Sequence, residues 1–394
     1  MPTNTLPPPS EIALRHSHAL QNALHAKIIT AGGWISFADF METALYTPGL
    51  GYYSAGAEKF GHAGDFVTAP EISSLFGKTI ARQAAQVFEL IGGNDILEFG
   101  AGSGKLALDL LLELEQLNCL PRRYFILEVS ADLQQRQHEL FEKYAPHLAS
   151  VIHWLTTLPH EFNGLILANE VLDAMPVHLV VWQNQHLYER GVTSNHDAFA
   201  WQERPLIAGE LFEIAQELPP HKEAVNHHAF HYLSEISLTN RHFIRTLTQL
   251  LHRGVILLID YGFGQSEYYH PQRSQGTLMC HYRHHVHGDP FYLPGLQDIT
   301  SHVDFSAITH VALHNELQLL GYTSQANFLI NCGITEILSQ TPADNTYQYL
   351  PLANQLQRLV SPAEMGELFK VIAFGRQIDQ SLLGFSRGDK SRLL

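Results

Sequence analysis

The sequence has few of the residues that build disulfide frameworks, thiolate metal sites and membrane spans. Its 394 residues contain three cysteines, which lie far apart without CxxC spacing: Cys119, Cys280 and Cys332. This scarcity argues against a disulfide framework and a thiolate metal centre. No apolar run approaches the roughly 18 residues that a membrane span needs. The first residues have no apolar signal-peptide core and are poor in arginine, so we expect a cytoplasmic protein.

Basic residues are also scarce. The chain has 24 Lys and Arg against 39 Asp and Glu, a formal net charge of −15. Nucleic-acid binding normally depends on Lys and Arg that neutralise phosphates, so this balance argues against a nucleic-acid partner and is compatible with a cationic one. The hydrophobic content of 45% and charged content of 16% are typical of a globular protein rather than a disordered one.

Alternating strand and helix patterns begin at Asp95. "DILEFG", "RYFILEV", "SVIHWL", "GLILAN", "GVILLIDYG" and "FKVIAFGR" are typical of strands, and amphipathic helical segments separate the first of them. Such alternation predicts an α/β fold with a doubly wound, mostly parallel sheet covered on both faces. Before it, helices are expected at residues 10–30 and 36–46, followed by a glycine- and proline-rich loop and a helix in "EISSLFGKTIARQAAQVFELI".

Two regions interrupt the alternation. Residues 177–220 have the pattern of antiparallel hairpins, and a helical stretch is expected over residues 222–252. Residues 262–303 are predicted to be a long loop rich in Gly, His, Tyr and Pro, of the kind that is usually functional. We therefore divide the chain into an N-terminal segment, a first sheet half, an inserted subdomain and a second sheet half, at residues 1–75, 76–176, 177–253 and 254–394.

The segment "ILEFGAGSGKLA" places Gly100, Gly102 and Gly104 between a strand and a helix. Glycines at such a junction allow a tight turn and a close approach of ligand to backbone. The G-x-G-x-x-A spacing from Gly102 also matches a dinucleotide fingerprint, so NAD or FAD stays a competitor. A P-loop is excluded because Lys105 is followed by Leu106.

Two carboxylates beside this loop bear on the ligand. Glu98 lies within the strand before the glycines, where it would repel a pyrophosphate but suit a cationic group. Glu128 ends the next strand, the position from which carboxylates bind ribose hydroxyls. A ribose-bearing ligand with a positive centre points to S-adenosyl-L-methionine, whose own carboxylate can bind the helix N-terminus.

Six segments in order resemble the MidA-like branch of class I methyltransferases: "TPGLGYYS", "GDFVTAPEISSLFG", "LEFGAGSGKLA", "ANEVLDAMPV", "LLIDYGF" and "GLQDITSHVDF". Mitochondrial members of this family are described as protein arginine methyltransferases and assembly factors of respiratory complex I. The resemblance implies a class I methyltransferase fold, Rossmann-like and doubly wound, with an antiparallel last strand, an N-terminal helical segment and an inserted subdomain.

The resemblance also implies a cofactor site. Gly100, Gly102 and Gly104 would bind the methionine end of S-adenosyl-L-methionine, with Glu98 near the same group, and Glu128 would bind the ribose. The residues after the third strand, Trp154 and Leu155, would lie beside the adenine ring.

In the implied fold, "ANEVLDAMP" leaves the fourth strand beside the methyl group to be transferred. Asn169, Glu170 and Asp173 are therefore the candidate catalytic residues. A guanidinium stays protonated near neutral pH, and a carboxylate that binds one edge of it can orient the free nitrogen. Glu170 and Asp173 would share a face if a helical turn starts there; an Asn/Asp cap before Pro176 is the structural alternative.

The predicted substrate-binding residues come from three other loops: Asp260 and Tyr261, His302 and Asp304, and Glu71. Asp260 and Tyr261 end a strand at the crevice, and the segment of His302 and Asp304 would form the opposite wall. All of these residues except His302 have a structural alternative. Asp260 and Tyr261 also fit a solvated strand end before Gly262. Asp304 also fits a helix N-cap, and Glu71 also fits a first-turn charge that complements a helix dipole.

The segment "CHYRHHVHGD" contains possible metal ligands, but its spacing matches no zinc pattern, so no metal is predicted. The sequence thus predicts an S-adenosyl-L-methionine-dependent methyltransferase. The resemblance implies that it acts on arginine in a protein partner, either a respiratory complex subunit or another protein. A small-molecule methyltransferase and a cofactor-binding assembly protein are the alternatives.

Overall fold

The computed structural model describes residues 6–54, 67–195, 198–226 and 230–394. Residues 55–66, in the predicted glycine- and proline-rich loop, lie outside the described residues. The elements up to the middle of the chain are α1 (Glu11–Thr30), β1 (Trp34–Ser36), α2 (Phe37–Tyr46), α3 (Ala69–Ile72), α4 (Ser74–Ile91), β2 (Asp95–Phe99), α5 (Lys105–Gln116), β3 (Arg123–Leu127), α6 (Ala131–Tyr144), β4 (Ile152–Leu155), β5 (Phe162–Asn169), β6 (His178–Gln183), β7 (His186–Asn195) and β8 (Ala198–Pro205).

The remaining elements are α7 (Glu210–Glu217), α8 (Pro219–Asn226), β9 (His231–Ile236), α9 (Leu238–Leu250), β10 (Leu251–Phe263), α10 (Gln265–Tyr268), β11 (Met279–Tyr282), β12 (His285–His287), β13 (Asp298–Thr300), β14 (Val303–Asp304), α11 (Phe305–His314), β15 (Gln318–Ser324), α12 (Gln325–Asn331), α13 (Ile334–Ser339), α14 (Thr346–Val360) and β16 (Phe369–Arg376). The first two helices begin where serine side chains cap them: Ser10 Oγ accepts from the Ala13 N–H, and Ser36 Oγ from the Asp39 N–H.

The central sheet has the strand order β15-β16-β10-β5-β2-β3-β4. Five consecutive strands of this order, β10, β5, β2, β3 and β4, run parallel to one another. Strand β16 is antiparallel to both of its neighbours, β10 and β15. The predicted mostly parallel sheet with an antiparallel last strand is therefore confirmed.

Both faces of this sheet are buried. Along β5, Leu165 and Leu167 pack into one apolar cluster with α4 and α5, whereas Ile166 and Ala168 pack into a second cluster with α9 and α11. Side chains of a strand alternate between faces, so an unbroken apolar run such as "LILA" needs cover on both sides. The polar residues of β5 are thereby left to its ends.

A second sheet has the order β1-β7-β6-β9, with β8 paired to β7. Strand β1 comes from the N-terminal segment and pairs with the insert, with Ile35 opposite Val192. One apolar cluster joins α1 and α2 to β6, through residues such as Phe40 and Val181. The N-terminal segment and the insert therefore share one sheet and one core, which fixes α2 beside the carboxyl end of the central sheet.

Two predictions for the insertions were wrong in part. Residues 222–252 do not form one helical stretch, because β9 pairs with β6 between α8 and α9. Residues 177–220 contain the predicted hairpins, but their end forms α7. For β9, long-range pairing with β6 decided the local structure, and local periodicity does not report such pairing.

Residues 262–303 are not a structureless loop. They contain α10 and a small sheet in the order β12-β11-β13. The tight connection from β11 to β12 holds Arg283 and His284 at φ of 47° and 62°. Within the described ranges no helix is both long and apolar enough to cross a membrane.

Candidate functional site

A cleft of about 680 Å³ opens at the carboxyl ends of β2, β3 and β5, a volume within the usual range for ligand pockets. Helices α2 and α9 contribute residues to its walls. Among the described residues that line it there are six carboxylates and no lysine or arginine; the carboxylates are Asp39, Glu42, Glu71, Glu98, Glu128 and Glu170. The cleft therefore favours a cationic ligand.

The glycine loop forms the floor of one end of this cleft. Gly100, Gly102 and Gly104 have φ of 62°, 55° and 83°, in the left-handed region that side chains disfavour. A Cβ atom on Gly100 would lie 3.1 Å from Val171 Cγ2, and one on Gly104 would lie 3.1 Å from Gln137 Cγ. Gly104 is also the N-cap residue of α5, so the positive end of that helix faces the loop. This loop can cradle an anionic group.

Glu98 is buried at the end of β2 beside this loop. Its Oε2 accepts a hydrogen bond from the Tyr124 hydroxyl at 2.8 Å. Burial raises the pKa of Glu98 to about 7, and nearby Glu128 adds to the rise. A bound cation would reverse this shift, because an opposite charge stabilises the carboxylate. The carboxyl is thus suited to a positively charged group.

Glu128 is held at the end of β3 by two neighbours. The Ser130 N–H donates to its Oε1 at 2.9 Å, and Gln137 Nε2 approaches its Oε2 at 3.3 Å. Gln137 Nε2 also donates to Gly102 O at 2.8 Å, which ties the glycine loop to the carboxylate. Sequence reasoning missed Gln137. The signal was available, because this glutamine occupies an inward position of α6 between Leu133 and Phe141.

The two residues that were predicted to lie beside the adenine ring, Trp154 and Leu155, do not line the cleft. The Trp154 ring stacks on His138 with centroids 3.6 Å apart, and its N–H donates to Gln137 Oε1 at 2.8 Å. Leu155 packs against the core on one face of the sheet. The cleft beyond β3 is lined instead by Val129 and Leu133. These apolar side chains are the better candidates for a flat ring.

Glu170 enters the cleft where β5 ends. Its N–H donates to Ile259 O at 2.9 Å, and its φ is 53°, a conformation that costs a non-glycine residue roughly 1–2 kcal/mol. Asn169 Nδ2 donates to Glu170 Oε1 at 3.1 Å. Burial, with a contribution from Asp173, raises the pKa of Glu170 to about 8. Such a strained, half-buried carboxyl with a raised pKa is typical of functional sites.

Asp173 and Asp260 hold the turn after β5 rather than line the cleft. Asp260 is fully buried, and its Oδ2 accepts from the N–H groups of Leu172 and Asp173 at 3.0 and 3.2 Å. The Tyr261 hydroxyl donates to Asp173 Oδ2 at 2.5 Å. Burial raises the pKa of both carboxyls.

The predicted substrate role of Asp260 and Tyr261 is corrected accordingly, because backbone N–H groups and Asp173 already occupy their polar atoms. Asp173 likewise shares no open face with Glu170, since it is buried and bonded to Tyr261. Asp173, Asp260 and Tyr261 therefore hold the turn that follows Glu170.

His302 and Asp304 were also misplaced by the sequence reasoning. His302 packs on Tyr261 and Phe263, each with ring centroids 5.2 Å away, and burial lowers its pKa to about 4. Asp304 Oδ1 accepts from the Ala307 N–H at 3.0 Å, which makes Asp304 the N-cap of α11. Both border a separate cavity of about 20 Å³. Glu71, by contrast, does line the cleft and accepts a hydrogen bond from the Ser103 hydroxyl.

Two tyrosines that the sequence reasoning missed, Tyr46 and Tyr53, also line the cleft. The rings of Tyr46 and Tyr53 stack with centroids 5.5 Å apart. The Tyr46 hydroxyl donates to Ala174 O at 3.0 Å, and the Tyr53 hydroxyl to Asp298 Oδ1 at 2.9 Å. Aromatic faces attract planar cations such as guanidinium. The only sequence signal was for Tyr53, which belongs to the Tyr-Tyr pair within "TPGLGYYS"; Tyr46 is the last residue of α2, just before this segment.

Metal ligands do not cluster in the described part of the chain. No group of three or more His, Cys, Asp or Glu residues there is placed to hold a metal ion. The three cysteines are free thiols. The histidine-rich segment lies in the β11–β12 hairpin, whose strands pair Cys280 with His287.

The chain matches a protein-family model over more than half of its length. Residues 79–323 match the family described as "Putative S-adenosyl-L-methionine-dependent methyltransferase". The matched range runs from α4 through the glycine loop and Glu170 to β15.

Curated relatives resemble the chain over most of its length. The chain is 27% identical to "Protein arginine methyltransferase NDUFAF7 homolog, mitochondrial" of Drosophila melanogaster, with 90% of this chain and 84% of the relative covered. It is also 27% identical to "Protein arginine methyltransferase NDUFAF7, mitochondrial" of Danio rerio, with 88% of this chain and 84% of that protein covered.

A solved structure from Burkholderia thailandensis resembles this fold throughout. It is described as a "likely methyl transferase" bound to S-adenosyl-homocysteine. The two chains are 48% identical with a TM-score of 0.94, and the match covers 99% of this chain and 100% of that one. A native crystal structure from the same organism has a TM-score of 0.91 at 47% identity, with 99% of this chain and 100% of that one covered.

Proposed function

We propose that this chain, which belongs to the family of S-adenosyl-L-methionine-dependent methyltransferases, methylates the guanidinium group of an arginine in a partner protein. The cofactor is S-adenosyl-L-methionine, in keeping with the family and with the S-adenosyl-homocysteine in the Burkholderia structure. The arginine acceptor is the finer part of the proposal, and the names of the curated relatives support it.

The residues present fit this cofactor. The left-handed glycines and the N-terminus of α5 suit its carboxylate, and Glu98 suits its positive charge. Glu128, fixed by Ser130 and Gln137, offers a carboxylate to the ribose hydroxyls. When bound, the cofactor supplies a methyl group on a positively charged sulfur.

The observation that carries the arginine proposal is the placement of Glu170. Its half-buried carboxyl enters a cleft that has no described lysine or arginine in its walls. A guanidinium is always protonated near neutral pH and presents N–H donors in a fixed fork, so a carboxylate can bind one edge of it and orient the remaining nitrogen. Tyr46 and Tyr53 offer aromatic faces beside this position.

The acceptor class can be tested with peptides. We expect the purified protein and S-adenosyl-L-methionine to add methyl groups to a peptide with one arginine, and mass spectrometry to locate them on that residue. A matched peptide with lysine or citrulline in its place should stay unmodified, because lysine lacks the planar fork and citrulline lacks the charge.

Other outcomes separate the alternatives. Methylation of free small amines with no peptide product would favour a small-molecule methyltransferase. Binding of the cofactor with no transfer to any acceptor tested, cell-extract proteins included, would favour an assembly protein.

The pH dependence of kcat/KM should follow Glu170. Because the pKa of Glu170 is about 8 in the free protein, its carboxylate form is gained as pH rises through this value. We expect kcat/KM for the arginine peptide to rise about tenfold per pH unit below pH ~8 and to level off above it. The peptide guanidinium stays protonated throughout, so it cannot produce this rise. A flat profile from about pH 6 to about pH 9 would contradict the role of Glu170.

A further inference from the structure

A histidine–glutamate pair borders the same cleft through its histidine. His178, the first residue of β6, lines the cleft, and its Nδ1 lies 2.6 Å from Glu189 Oε1 on β7. Neither residue emerges from the glycine loop or from the turn of Glu170. Glu170 binds the acceptor in the proposed reaction, but that reaction also releases a proton.

The contact with Glu189 favours one tautomer of His178. An ionised carboxylate is only an acceptor, so the short contact requires that Nδ1 carries the hydrogen and donates it to Glu189. The neutral ring then has its lone pair on Nε2. No described residue hydrogen-bonds to Nε2, and the ring is part of the cleft lining. A neutral imidazole held in this way is oriented as a base.

The burial of this pair distinguishes it from an ordinary surface contact. The side chains of His178 and Glu189 are 21% and 17% exposed, whereas those of the pair His147–Glu115 are 55% and 42% exposed. Water screens the exposed pair and competes for its hydrogen bond, so that pair contributes little. The shielded pair can hold its geometry and stabilise a positive ring.

Charge balance shows why a base is needed. A guanidinium and a sulfonium, each with one positive charge, would react to give a methylguanidinium with one positive charge and a neutral thioether. The N–C bond forms as the S–C bond breaks, the electron pair of the S–C bond stays on sulfur, and one proton must leave the attacking nitrogen.

We propose that His178 Nε2 accepts this proton and that Glu189 positions the ring and stabilises the imidazolium. The proposal rests on the proposed arginine methylation and adds the base to it. In this role His178 would be a catalytic residue because it would contact the reacting nitrogen, and Glu189 would be a positioning residue because it would act through His178. The imidazolium then returns its proton to water through the open cleft.

The test measures kcat, KM and cofactor affinity of His178→Ala on the arginine peptide. General-base catalysis typically contributes about 10²–10⁴-fold, so kcat should fall by about this factor. KM and the Kd for S-adenosyl-L-methionine should stay within about threefold, and added imidazole should restore part of kcat. His147→Ala, which breaks the exposed pair outside the cleft, is the matched control and should keep kcat with no response to imidazole.

Glu189 variants separate positioning from folding. Glu189→Gln should lower kcat about tenfold with KM unchanged, and Glu189→Asp should recover most of that loss, because it restores the negative charge. An unchanged kcat in His178→Ala would overturn the proposal and leave the proton to Glu170. A parallel loss of kcat and cofactor affinity without imidazole rescue would overturn it as well, since it would indicate a structural role. If the wild-type protein methylates no arginine peptide, the proposed function itself fails, a result distinct from either of these.

Discussion

Replacement of Glu170 by glutamine is expected to lower kcat about 10²–10³-fold while S-adenosyl-L-methionine binds within about threefold of its normal affinity. The size of the effect is that of one preorganised electrostatic contact removed from an active site. Glutamine keeps the shape of the side chain and can still accept from Asn169 Nδ2, but it cannot carry a negative charge. The proposed guanidinium acceptor would then lose its charged partner.

The measurement combines initial rates on the arginine peptide, calorimetric titration with the cofactor and thermal unfolding. Stability should change little, because a carboxyl with a pKa of about 8 is largely protonated at neutral pH and an amide is a close substitute. Glu142→Gln is the matched control, since Glu142 is exposed on α6 and lies outside the cleft.

Two results would count against this role of Glu170. Full activity of Glu170→Gln would show that the acceptor does not depend on the carboxylate. A loss of cofactor binding equal to the loss of rate would instead place Glu170 in the cofactor half of the cleft.

Replacement of Gly102 by valine should weaken S-adenosyl-L-methionine binding by about 100-fold or more. Gly102 has φ of 55°, and a β-branched residue strongly disfavours this region. The backbone must move to relieve the strain. Gly102 O accepts a hydrogen bond from Gln137 Nε2, and Gln137 also contacts Glu128. The movement therefore disturbs both the glycine loop and the carboxylate of Glu128.

Gly32→Val supplies the matched control. Gly32 has φ of 78° and a Cβ there would meet nothing within 4 Å, so this variant carries a similar backbone strain away from the cleft. Both variants should lose a similar, small amount of thermal stability, but Gly32→Val should keep cofactor affinity.

Titration with S-adenosyl-L-methionine, S-adenosyl-homocysteine and NAD in parallel completes the test. Wild-type protein should bind the first two and not the third. Unchanged affinity in Gly102→Val would contradict the assignment of the glycine loop, and binding of NAD alone would contradict the cofactor itself.

Much of the cofactor end follows from connectivity. In a parallel sheet the carboxyl ends of successive strands meet at one edge. Glu98, Glu128 and Glu170 each come at or just after the end of a strand in the sequence, so their convergence in one cleft could be predicted before any distance was known. The three glycines could be placed for the same reason, since only they adopt the left-handed turn without strain.

The residues that would bind the methyl acceptor could not be predicted in this way. Asp260 follows a strand as Glu170 does, yet it is buried and accepts from backbone N–H groups. The sequence shows that a carboxylate ends a strand, but not whether cleft or backbone surrounds it. The same limit explains His302 and Asp304, whose polar atoms are taken up by packing and by a helix cap.

The sequence by itself determined the central sheet, the glycine loop and the carboxylates that end neighbouring strands, because hydrophobic periodicity and chain order are local signals. Only the tertiary structure decided which side chains face the acceptor. Pairing of β1 with β7 brings α2 over the cleft, and pairing of β6 with β7 brings His178 to Glu189. The first pairing joins segments that are distant in the chain, and the second depends on the register between two strands. The packing of the whole fold determines both, and no local sequence pattern does.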